Sequence, residues 1–152
     1  MTYGIIILIV LLALAPLWHF MPTKRQRHQA LLRESAALAG LFVEFRDLPL
    51  GQERLERLSA SERQVLYYGL RLPASRKTRR ERQAWYRERG QWSSRPGRLE
   101  PPTIASKLPD SILAIGVSDE SCGVFWQELG DETLVREIAV LLNQWKDDLV
   151  PS

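Results

Sequence analysis

The residues in this chain best suited to chemistry are cations. Arg76, Lys77, Arg79, Arg80 and Arg82 fall within seven positions, opposed only by Glu81, and Trp85, Tyr86, Arg87 and Arg89 follow. Cations interleaved with aromatic rings suit phosphate neutralisation with stacking on bases. They suit equally an anionic lipid surface, where each basic residue near the headgroups adds about 1 kcal/mol, or a protein partner. The plainest use of the same composition is a solvated loop kept soluble by its charge. A second basic cluster, Lys24, Arg25 and Arg27 with His28 beside it, follows a long apolar stretch.

Catalysis is poorly served. The chain has no G-x-G-x-x-G, no P-loop, no G-x-S-x-G and no Ser-x-x-Lys. Its two histidines, His19 and His28, lie in or just beyond the apolar stretch, away from the bulk of the acidic residues. Zinc would need several Cys or His ligands, and the rest of the chain offers only Cys122. That lone thiol, in the run SDESCG, is expected in a turn, with no histidine to activate it, and suits a reducing compartment. Asp119, Glu120, Glu128, Asp131, Glu132 and Glu137 crowd the C-terminal third. They are expected at turns and at a helix start, where Asp131 and Glu132 complement the helix dipole. The sequence therefore assigns no catalytic residue, no cofactor and no metal ligand, evokes no small-molecule substrate, and is expected not to encode an enzyme.

The elements that position these residues come from 152 positions, enough for one ordinary domain. Charge is uneven along them: ten basic against three acidic residues over 71–100, then three against nine over 101–152. Residues 3–21, YGIIILIVLLALAPLWHFM, hold no formal charge. A helix of that length spans about 28 Å, close to a hydrocarbon core of about 30 Å, and predicts a single transmembrane helix. A cleaved signal would need a basic residue before the apolar block, and Met1 to Gly4 have none. Lys24, Arg25 and Arg27 then act as topology determinants, placing the N-terminus outside and the remainder in the cytoplasm. A tether there would hold the 76–89 segment near lipid, which ranks lipid or a protein partner above nucleic acid.

Residues 22–40 read as a juxtamembrane helix, basic at first and amphipathic later, ending at Gly40. Residues 41–150 read as a cytoplasmic α+β domain with a mainly antiparallel sheet. Strands are expected at 41–46, 65–72 and 84–92, with a short helix or loop over 52–63. A hairpin is expected from 112–117 and 124–129 around SDESCG. Asp131 is expected to cap a packing helix that runs to about 148, with Leu134, Ile138, Leu141, Leu142 and Trp145 as its apolar stripe.

The first forty residues resemble the YajC family, small accessory subunits of the bacterial preprotein translocase. The likeness is carried by an anchor without a basic n-region, then Pro22-Thr23-Lys24-Arg25-Gln26-Arg27-His28-Gln29, then an Ala/Leu helix ending at Gly40. LFVEFRDLPLGQERLERL follows where that family has a short Gly-rich β segment. The resemblance implies a bacterial inner-membrane, non-enzymatic accessory or scaffold protein that works on a protein partner in a membrane complex. It transfers no catalytic residue. The first alternative is a peripheral module that contacts anionic lipid or nucleic acid through 76–89, and the second is an enzyme with an unrecognised site.

Overall fold

The computed structural model describes residues 2–14, 22–59, 63, 65–73, 80–94 and 99–150. The chain divides into two compact units, residues 1–30 and 31–152. The first contains α1 (Thr2–Leu14), 13 residues with Ile5 through Leu12 all exposed. At about 1.5 Å per residue α1 is about 20 Å long, well short of a bilayer core of about 30 Å. Among the described residues no helix is long and apolar enough to cross a membrane. This overturns the transmembrane helix expected over 3–21. With it go the single-pass membrane anchor, the inner-membrane location and the N-out orientation drawn from Lys24, Arg25 and Arg27. The expectation counted uncharged residues as one element, whereas the described helix covers Thr2–Leu14; residues 15–21, Pro16 and His19 among them, lie outside the described residues.

The second helix, α2 (Lys24–Leu38), starts on its own signal. The Thr23 backbone N–H donates to Gln26 Oε1 at 2.8 Å, and the Gln26 N–H donates to Thr23 Oγ1 at 3.3 Å. This reciprocal capping box satisfies first-turn donors without help from upstream. Lys24, Arg25 and Arg27 stand exposed in the first turns. The helix stops where expected, because Gly40 takes φ +79°. Gly40 N–H then reaches Ala37 O and Leu41 N–H reaches Ala36 O, closing a Schellman motif.

The second unit is α+β. Its elements are β1 (Phe42–Glu44), α3 (Gln52–Arg57), β2 (Leu66–Arg71), β3 (Gln83–Glu88), β4 (Gln91–Ser94), a 3-10 helix at Thr103–Lys107, β5 (Ile112–Val117), β6 (Ser121–Trp126) and α4 (Glu132–Leu149). The strands form one six-stranded sheet in the order β1-β2-β6-β5-β3-β4, antiparallel at every pairing. The single strand expected at 84–92 is a hairpin. Arg89 (φ 50°) and Gly90 (φ 81°) form its two-residue turn, a backbone that matches the strand twist.

One face of the sheet packs against α4, the 3-10 helix and the C-terminal half of α2. Leu32, Ala36, Ile115, Val124, Trp126 and Leu142 are all fully buried there. A bulge between Ile112 and Ala114 lets Ile112 and Ile115, three apart, face the same layer. In α4 the buried stripe is Val135, Ile138, Ala139, Leu142 and Trp145, so Leu134 and Leu141 sit on its shoulders. Asp131 caps the helix as expected, accepting from Leu134 N–H at 3.0 Å. The opposite face is covered more thinly: Leu48, Val65, Tyr67, Tyr86, Ala114 and Phe125 are packed by Leu50, Leu55 and Leu58.

Candidate functional site

The thinly covered face holds the site, and glycines shape it. Phe42, Gly69, Gly123, Gly116 and Ala84 stand side by side across five strands. A Cβ on Gly123 would come within 2.6 Å of Tyr67 Cζ and 2.8 Å of Gly69 Cα. Only glycine therefore lets the Tyr67 ring lie across β2 and β6, where it meets Phe125 edge-on with centroids 5.1 Å apart. That placement brings the Tyr67 hydroxyl within 3.2 Å of Ser121 Oγ.

Arg46 closes over this ring. Its guanidinium lies 4.0 Å from the Tyr67 centroid, a cation–π distance, and donates to Ser121 Oγ at 3.3 Å while pairing with Glu44. Ser118 Oγ lies 3.4 Å from Ser121 Oγ and 3.3 Å from Ser121 O. Burial pushes the Tyr67 hydroxyl up to about 12, so it is a neutral donor and acceptor across the physiological range.

Beside this floor opens a cleft of about 1220 Å³, walled by residues 45–49, by 80–84 and by the β5–β6 turn. Arg46, Arg63, Arg80 and Arg82 line it, and Asp47, Glu81, Asp119 and Glu120 balance them. Phe45, Leu48, Pro49 and Phe125 supply apolar wall, and Phe45 is 83% exposed. Among the described residues four cations face four anions across the cleft.

The basic segment singled out by sequence is split by the fold. Arg76, Lys77 and Arg79 lie outside the described residues. Arg80 is half-buried: its backbone N–H donates to the Asp119 carboxylate, and its guanidinium donates to Leu149 O at 3.1 Å. Arg82 is exposed on the cleft wall. Trp85 and Tyr86, the rings proposed to stack on bases, are core residues at 4% and 7% exposure. Arg87 is engaged too, pairing with Asp110, donating to Leu108 O and covering Trp92.

Cys122 is not in a turn. It is the second residue of β6, fully buried, and burial pushes its thiol up to about 11, which removes the thiolate a nucleophile needs. Glu128, which the sequence groups with the carboxylates of turns and a helix start, is instead a buried anchor. Its side chain is buried at φ +58°. It accepts from Arg33 Nε at 2.7 Å and Nη2 at 2.9 Å, and from the Tyr68 hydroxyl at 2.8 Å. Burial and this carboxylate both raise the Tyr68 pKa, and the hydrogen bond to Glu128 raises that of Arg33. All three groups are spent on one another, fastening α2 to the sheet. Among the described residues no group of three or more His, Cys, Asp or Glu side chains could hold a metal ion. No protein-family model matches the chain, and no curated protein or solved structure matches it.

Proposed function

We propose that residues 31–152 form a non-enzymatic binding domain, an accessory or scaffold subunit whose cleft takes an extended segment of a protein partner. The observation that carries this reading is the cleft's charge balance beside the exposed Phe45. Equal numbers of cations and anions among its described residues offer a phosphate polymer no net attraction there. A peptide that carries both signs and an apolar anchor matches such a wall, and an exposed aromatic ring is the kind of residue that dominates binding energy.

The test is a photoreactive amino acid placed at Phe45 in the full chain in cells, with one at the exposed Gln91 of β4 as control. A discrete protein adduct is expected from position 45 alone, and it disappears with Arg82→Glu. Identical adducts from both positions, an adduct with nucleic acid, or none at all would refute this function.

A further inference from the structure

On the other side of the molecule α2 and α4 leave a second depression. It is a groove of about 480 Å³ lined by Leu31, Glu34, Ser35, Leu38 and Ala39 of α2 and its C-terminal turn, and by Glu132 and Arg136 of α4. Leu31 and Leu38 are one heptad apart, hence on one face of the helix, and are 50% and 85% exposed. The domain's own core uses the other face of the helix, through Leu32 and Ala36.

We propose that this patch is a homodimer interface, occupied by a second copy of the chain. A two-fold contact must present both halves of its complement on one surface. This surface does. Leu38 projects as a knob directly beside the groove that would receive it. Glu34 and Glu132 supply anions and Arg136 a cation, all exposed around the apolar centre. Among the described residues none of the three forms an ion pair, and Arg136 reaches only the Thr133 hydroxyl in its own helix turn, at 3.4 Å. In the dimer Leu38 of each copy fills the groove of the other, and Glu34 faces Arg136 across the axis. A second copy turned by 180° sets Glu34 against Arg136 twice, once on each side of the axis, with Glu132 left at the solvent rim. The interface is independent of the cleft on the far face of the sheet.

Sedimentation equilibrium of the full chain tests this. The wild-type chain is expected to be a dimer at micromolar concentration. Leu38→Glu should be monomeric with unchanged circular dichroism, since that side chain makes little contact within its own copy. Glu34→Arg and Arg136→Glu should each weaken association about tenfold, and the two together should restore most of the loss. A monomeric wild type, or Leu38→Glu with the wild-type dissociation constant (as association through the apolar α1 would give), overturns the proposal. So does a double reversal weaker than either single one.

Discussion

Among the described residues each face of the sheet buries one polar side chain that is neither aromatic nor apolar, Glu128 or Ser121, and the two are treated differently. On the helix-covered face Glu128 is saturated by three hydrogen bonds of 2.7–2.9 Å from Arg33 and Tyr68. On the cleft face Ser121 shares longer contacts, 3.2–3.4 Å, with Tyr67, Arg46 and Ser118. Short charge-assisted bonds in a low dielectric fix a geometry. Long contacts among hydroxyls and a guanidinium can be exchanged for those of an incoming group at little cost. One face is therefore locked by its own groups, and the other is held by looser contacts.

The widest gap between the faces should appear in stability. Leu142→Ala, at a fully buried site under α4, should cost about 2–5 kcal/mol in urea unfolding. Phe45→Ala, at a residue 83% exposed, should stay within about 0.5 kcal/mol. Similar losses at both would erase the distinction. Alkaline titration sharpens it further. The Cys122 thiol lies on the helix side and is raised from 9.0 to about 11, while Tyr67 on the cleft side is raised from 10.0 to about 12. Raised folded values mean that the unfolded chain loses these protons first. Stability is then intact below pH 9 and falls as pH rises, by about 2–3 kcal/mol per group. Cys122→Ala should move the onset of that fall up to the tyrosine range, near 10; an unmoved onset would mean the thiol is not shielded. The smallest effect concerns the saturated carboxylate. Glu128→Gln should cost about 1–2 kcal/mol, since Arg33 is partly solvated and loses only part of its partner. Amide exchange should then accelerate over residues 31–38 while the cleft strands keep their protection. Uniform acceleration would show that Glu128 serves the whole sheet and not α2 alone.

Much of the helix-covered face was legible in the sequence because its signals are periodic and local. The alternation of LFVEFR, the β-rich VLYYGLRL and the apolar period of α4 each fall on an element of the structure. What failed was whatever a short window cannot see. An uncharged run looked like one spanning helix, although length is a property of the helix and not of the composition. Cys122 and Gly123 looked like turn residues, yet the turn is only Ser118 to Glu120 and both belong to β6. Arg89-Gly90 lacks the Asn-Gly or Asp-Gly signature, so the sequence reads as one strand where the chain makes a hairpin. The cleft was half visible. Arg80 and Arg82 stood out by charge, whereas Arg46, Tyr67 and Ser121 are far apart along the chain and meet only through the register of β2 with β6. Glu128 gave no signal because positive φ at a non-glycine is dictated by its partners, not by its type.

The four tryptophans among the described residues are each tied to the main chain or to one another: Trp85 to Leu99 O, Trp92 to Ala105 O and Trp126 to Leu129 O. Trp145 of α4 instead meets Trp85 of β3, with ring centroids 6.4 Å apart at 67°. Two indoles held that close in a fixed chiral arrangement couple their electronic transitions, so the near-ultraviolet dichroism of this protein carries a signature of helix-on-sheet docking. A compact state that kept its helices and strands but let α4 drift would lose this pair's share of that band while keeping its secondary-structure content. The molecule thus contains its own optical gauge of whether the layer that holds it together is closed.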